Sequence, residues 1–435
     1  MSGSRVVAVA AMVVACAAPA ASAQTVYVIE HAKVVTVSGP TIDDGSVVIR
    51  NGRIADVGPT VTVPAGATVI DGRGLVVYPG LFDPDSNLGM AGSNPENLFG
   101  PLMPHLEASP AFIPDSEEIP IARQIGLTHV LVRPPRGMIP GQGEIMNLAG
   151  WTGEEMLVKP RAALFMAFPT VGDLHYTDDE RFQVTPWSVA KPQYDRQVKQ
   201  LTDFFASARA YLAAWEQQAH NAGWKRDVRL DAMIPVLRRQ QVVIIEAATD
   251  VDIRHAVQFA ARENLDFVIA SQTGVWRVAD FLKANQVRVL LESPFDYPHD
   301  FDDPQDSVYT TPAVLHEKGV PFAFSTLGDR LNRPRLFVQT AGIAVAHGLP
   351  PEAALRAMTL TAAEFLGVAD ALGSIDKGKI ANLLVVRGDL FDAQAEVQYV
   401  FVAGEPASLR TVETALYEKY RDRPPAKPVV KKLQR

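Results

Sequence analysis

The sequence predicts a mixed α/β protein: a parallel α/β body with a small β-domain assembled from both ends of the chain. Three observations carry this. Short apolar runs of the buried-strand kind recur at 128–132, 162–167, 242–246, 267–271, 287–292 and 322–325, and helical stretches follow several of them. A cluster of short β signals precedes them, and a further pair follows. No fixed-period repeat divides the chain. Eight strands and closure into a barrel accord with the alternation, without following from it.

The opening β signals are 25–30, 33–37 and 46–50, with Asn51-Gly52 as a hairpin turn that leads back through 53–57. They continue at 69–71 and 75–78, too short and too few for a stable domain alone. Partners stand at the far end, where 381–386 and 397–402 read as buried strands. The expected division is a leader at 1–23, β-domain segments at 24–78 and 369–409, a body at 79–368, and a C-terminal helix with a basic tail at 410–435.

Helices are expected at 250–263, with Thr249 and Asp252 at a capped start, and at 352–358 behind Pro350-Pro351. Thr361 with Glu364 reads as a capping box opening a helix that ends near Gly367. The stretch 194–222 reads as a long amphipathic helix whose aromatic stripe is core packing.

Of the 435 residues, 47% are hydrophobic and 21% charged, a globular balance, and the formal net charge of −8 with no basic stripe argues against nucleic-acid binding. Arg5, the apolar run 6–15 and Ala21-Ser22-Ala23 make a cleavable export leader, and no later run has the ~20 apolar residues of a membrane span. The expected location is periplasmic or secreted. Val13-Val14-Ala15-Cys16 loosely resembles a lipoprotein box, but the Ala-Ser-Ala site is the cleaner match. Cys16 is the single cysteine, so the mature chain carries no disulfide.

Several motifs are set aside. Residues 137–143 lack the Gly-Lys-Ser/Thr ending of a phosphate loop, and the acidic loop 296–306 around His299 lacks the glycine and closing glutamate of an EF-hand. Ser271 and Ser325 have no histidine nearby in sequence. His129 and His255 read as structural.

Just past the strands stand Asp83, Asp85 and Asn87, then Glu246, Ser271-Gln272, Glu292 and Asp329; in a barrel these converge on one mouth. Val77-Tyr78-Pro79-Gly80-Leu81-Phe82-Asp83 resembles the opening barrel strand of the amidohydrolase superfamily. The stretches 321–329, 346–355 and 373–383 resemble its eighth strand, the following helix and the re-entry into its β-domain. Gly141-Gln142-Gly143 and Gly150-Trp151-Thr152 resemble an exported subgroup related to imidazolonepropionases. The resemblance implies a (β/α)8 TIM-type barrel with a small β-sandwich domain built from both chain ends.

It also implies a metal centre whose ligands are missing. The family's His-x-His falls on Asp85 and Asn87, its fifth-strand histidine on Glu246, and its sixth on Ser271 or Gln272; only Asp329 matches. Imidazoles suit zinc, which generates hydroxide near neutral pH, so replacing them should remove or alter that centre. The expectation is no cofactor, or a divalent metal on the oxygen ligands Asp85, Glu246 and Asp329. The resemblance implies a hydrolase of carbon–nitrogen bonds in a cyclic or dipeptide-like amide, with Asp329, Asp85 and Glu246 catalytic and Asn87, Gln272 and Arg330 binding substrate. The alternative is an inactive barrel that binds a small ligand, as a homo-oligomer or beside an active homologue. Asp83 reads as strand-end scaffold, and 88–120 as a segment able to cover the mouth.

Overall fold

The computed structural model describes residues 25–90, 100–171, 174–176, 182–218, 225–271, 274–291, 303–326 and 333–424. The leader and the end of the basic tail lie outside these residues.

Five strands open the chain: β1 (Val26–Val34), β2 (Ile42–Arg50), β3 (Arg53–Gly58), β4 (Thr68–Asp71) and β5 (Leu75–Pro79). The β signals at 25–30 and 33–37 form one strand rather than two: His31, at φ 55°, makes a register shift in the β1–β2 ladder instead of ending it. The next strands are β6 (Leu81–Ser86), β7 (Leu127–Val132), β8 (Gly141–Asn147) and β9 (Leu157–Ala167). A hairpin of β10 (Leu174–Tyr176) and β11 (Phe182–Val184) precedes β12 (Val242–Glu246), β13 (Phe267–Ser271), β14 (Arg288–Leu291) and β15 (Phe322–Phe324). Last come β16 (Leu383–Arg387), β17 (Glu396–Val402) and β18 (Glu405–Pro406).

The first and last strands form one hydrogen-bonded path, β18-β17-β16-β5-β1-β2-β3, with β4 beside β1. The join between the chain ends is the antiparallel pair β5–β16, in register from Leu75↔Arg387 to Pro79↔Leu383. Ile29, Val34, Val47, Ile49, Ile54, Val77, Leu383, Val385 and Phe401 pack together as its core.

Of the other ten strands, β10 and β11 pair only with each other, and eight form a barrel wall in the order β6-β7-β8-β9-β12-β13-β14-β15. Unlike an ideal (β/α)8 alternation, β8 runs antiparallel to both neighbours. The cause is chain length. A parallel return needs a crossover of a dozen or more residues, whereas only residues 133–140 separate β7 from β8. The outer side of β8 is covered by 101–112 rather than by a helix. Gln142 donates to the Pro104 carbonyl at 2.7 Å and the Ser109 N–H donates to Glu144 at 2.5 Å. Within the described part of 88–120, residues 101–112 thus pack along β8, with Met103, Ala108 and Phe112 buried.

Two helix readings change. The long helix is Trp187–Gln218, starting earlier than expected and carrying Pro192 within its first turns. The Thr361 capping box does not form: the helix is Leu360–Phe365, so Thr361 lies inside it, and the Thr359 hydroxyl donates back to Leu355 instead of capping. By contrast, the helix Asp250–Arg262 begins at a Thr249 cap that accepts from the Asp252 N–H at 3.1 Å.

Candidate functional site

The barrel interior is lined by alternate residues of its strands. Phe82, Leu131, Ile145, Ala163, Phe165, Val242, Ile244, Val268, Ala270, Leu290 and Ala323 form one buried cluster. With a side-chain period of two, the column Val242-Ile244 continues to Glu246, and the column His129-Leu131 continues to Arg133. Both charged groups thus stand at the C-terminal ends of their strands, over an apolar floor.

There they meet Asp85. Arg133 Nε lies 3.0 Å from Asp85 Oδ1, and Arg133 Nη2 lies 2.5 Å from Glu246 Oε1. One guanidinium is therefore forked between two carboxyl groups, a geometry that the planar donor set of arginine suits and the point charge of lysine does not. Asp85 is fully buried, whereas Glu246 is 32% exposed and opens toward the mouth. Arg133 also lies over the Phe165 ring, 5.1 Å from its centroid. The height of Glu246 in the wall is set by its two parallel ladders, which place it opposite Ala167 of β9 and Ala270 of β13.

Burial pushes the Asp85 carboxyl up to about 8; Arg133 pulls it down, while Glu246 and Asp83 push it further up. Burial also works against the Arg133 charge, but Asp85 and Glu246 outweigh it and hold the guanidinium above its ordinary value. Asp83, fully buried beside them, has a different task. It accepts from the Thr326 N–H at 3.1 Å and from the Thr326 hydroxyl at 2.6 Å, joining β6 to the residues after β15 across the barrel seam. Burial raises it to about 6 against these hydrogen bonds.

Below the site, His129 Nδ1 lies 2.7 Å from the Thr128 hydroxyl and 3.2 Å from Asn382 Nδ2. The Ala403 N–H donates to Asn382 Oδ1 at 2.7 Å, which fixes that amide and turns its NH2 toward the ring. Nδ1 is therefore an acceptor, and burial holds His129 neutral, down to about 3.

Of the residues singled out from sequence, Asp85 and Glu246 are brought together, and Asn87 follows β6 at the same mouth, half-buried. Asp329, Arg330, Gln272, Glu292 and His299 lie outside the described residues. His255 sits within its helix, with Tyr194 Oη 2.9 Å from its Nδ1. Sequence reasoning misses Arg133. Its signal is present, a charged residue directly after the apolar run 127–132, but a search for carboxylates and metal ligands passes over an arginine.

A cavity of about 270 Å³ is lined by Gly137, Met138, Ala167, Phe168, Thr170 and Gln193 among others, but not by Asp85, Arg133 or Glu246. The Phe168 N–H donates to the Glu246 carbonyl at 2.9 Å, fixing that wall to the site.

The divalent metal that the resemblance implies does not fit the described arrangement. The guanidinium fills the space between the two carboxyl groups, and unit charges ~4 Å apart interact by about 4 kcal/mol at an effective dielectric of ~20, a repulsion that a dication doubles. Among the described residues, no group of three or more His, Cys, Asp or Glu is placed to hold a metal ion.

Comparison with known proteins places the chain among similar folds. Residues 308–407 match the model of the Amidohydrolase family. An amidohydrolase from Thermotoga maritima MSB8 superposes with a TM-score of 0.74 at 23% identity, covering 88% of this chain and 100% of its own. A prolidase complexed with N-methylphosphonate-L-proline gives 0.53 at 19% identity over 88% and 99%. A Xaa-Pro dipeptidase with bound methionine in its active site gives 0.51 at 16% over 88% and 100%. No curated protein sequence matches.

Proposed function

We propose that the chain is an amidohydrolase-type hydrolase that cleaves a carbon–nitrogen bond of a small cyclic or dipeptide-like amide with carboxyl groups instead of a resident metal. The observation that carries this reading is the placement of Asp85 and Glu246 on one guanidinium at the strand ends. Two carboxyl groups in unequal surroundings are suited to unequal proton roles. Glu246, open to the mouth, takes a proton from the attacking water. Water oxygen adds to the amide carbon, the carbon–nitrogen bond breaks, and Asp85 gives its proton to the departing nitrogen. Arg133 holds both groups in place. Asp329 is proposed as a third catalytic group, with Asn87, Gln272 and Arg330 as substrate contacts. The cavity with Thr170 and Gln193 on its wall, joined to Glu246 through the Phe168 N–H, suits a neutral polar substituent.

The test is release of amine from a panel of lactams, hydantoin-like rings and dipeptides, with and without chelator. Chelator-resistant turnover is expected, reduced about 10²–10⁴-fold by Glu246→Gln and by Asp85→Asn. Turnover unchanged in both folded variants would sink the assignment. Asp329→Asn is expected to lower turnover too, and unchanged rates there would remove Asp329 from the site.

A second reading is favoured by the ion-paired state of Arg133: carboxyl groups already bound to a cation are those of a binding barrel that has ceased to catalyse. Saturable binding of an amide without amine release would favour it. The resemblance of 141–143 and 150–152 supports an exported, imidazolonepropionase-related subgroup.

A further inference from the structure

We propose that Arg133 is the built-in cation of this barrel mouth, standing in for a divalent metal, and that neutralising it uncovers a divalent-cation site on Asp85 and Glu246. The inference deepens the metal-independent reading and rests on its placement of these two carboxyl groups. Asp85 is fully buried, and among the described residues neither of its oxygens has a hydrogen bond of good geometry, so Arg133, with Nε 3.0 Å away, is the cation placed to offset the negative charge whenever Asp85 is ionised. Glu246 reaches the same guanidinium at 2.5 Å from the neighbouring side of the mouth. The guanidinium lies 5.1 Å from the centroid of the buried Phe165 ring and its side chain is only 14% exposed, so it is part of the wall and not a mobile surface group. Oxygen ligands of this kind suit manganese, magnesium or calcium once the competing charge is gone.

The experiment uses the chain from Gln24, wild type and Arg133→Met, with Mn²⁺ as the probe, followed by calorimetry and by loss of the free-ion electron paramagnetic resonance signal. Wild type should bind Mn²⁺ on the order of 100-fold more weakly than Arg133→Met. Mn²⁺ should raise the melting temperature of the variant and leave that of wild type unchanged. Adding Glu246→Gln to the variant should abolish the tight binding. Arg133→Gln carries the same expectation should the methionine variant not fold. Equal Mn²⁺ affinity in wild type and variant overturns the proposal, as does a folded variant that binds none. Failure of both variants to fold even with Mn²⁺ present also counts against it, since the metal should supply the missing charge. The outcome is separable from catalysis: a wild type without turnover, beside a variant that gains Mn²⁺, sinks the hydrolase reading and leaves Arg133 as the resident cation.

Discussion

His129 and Asp85 are both buried, and they tilt stability in opposite directions with pH. The folded pKa of His129 is lowered from 6.5 to about 3, so between these values the unfolded chain holds a proton that the folded chain does not. Stability from this group is intact above ~6.5 and is lost as pH falls, by at most about 1.4 kcal/mol per pH unit. In urea titrations, His129→Gln should make the acid-side loss between pH 6 and 4 shallower; an unchanged slope would remove His129 as its source. For Asp85 the folded value is raised from 3.8 to about 8, so its contribution is full below the unfolded value and declines as pH rises through this window. Asp85→Asn should flatten that decline. If Asp85 is the acid of a hydrolytic reaction, the wild-type rate should also fall above about pH 8, and a rate that keeps rising through pH 9 would exclude that role.

At the scale of the element, β8 is the part least legible in the sequence. The runs that become β7, β12, β13 and β14 are apolar and β-branched, so their period and length declare buried strands. β8 carries Gly141 and Gly143 and lacks that signature. Gly143 is there because a Cβ would stand 2.5 Å from Cε2 of Phe165 across the ladder. Gly143→Ala should therefore destabilise by about 1–3 kcal/mol in urea denaturation and disturb the ring on which Arg133 rests. A loss below ~0.5 kcal/mol would mean that the ring moves aside freely. The described part of the candidate site was legible to the same degree as its strands. Asp85 and Glu246 follow readable elements, whereas Arg133 became meaningful only when the fold brought the two acids to it.

Across the whole molecule, Asn382 ties the barrel to the end-built sheet. Its amide NH2 donates to Asn147 at 2.9 Å and faces His129, its Oδ1 accepts from Ala403, and its backbone carbonyl accepts from the Gly80 N–H at 2.8 Å. Asn382→Ala leaves the Asn147 amide oxygen and the Ala403 N–H unmatched and should cost about 2–4 kcal/mol, with both parts still melting in one transition. Two separate transitions would show that the parts are coupled through this amide more than through their shared sheet. The meeting of the two chain ends was readable because each end carried strands without partners; the register between them was not, since it depends on residues far apart in sequence. Export also belongs to this scale: we propose that the leader directs the chain across a membrane, and fractionation of cells expressing the full chain, with residues 1–23 removed from the exported pool, is the check.

The β5–β16 pairing also sets an order of events as the chain emerges, whether from the ribosome or on the far side of a membrane. About 300 residues separate the two strands, so at ~5–20 residues per second β5 waits roughly 15–60 s with one edge unpaired. An open edge is a template for association with other chains. Truncation after Ala381 should make that interval permanent and yield a chain that aggregates, although nothing has been removed from the barrel wall. The last strands to be synthesised are thus the ones that close a sheet begun by the first, and the nascent protein is exposed to misassembly until they arrive.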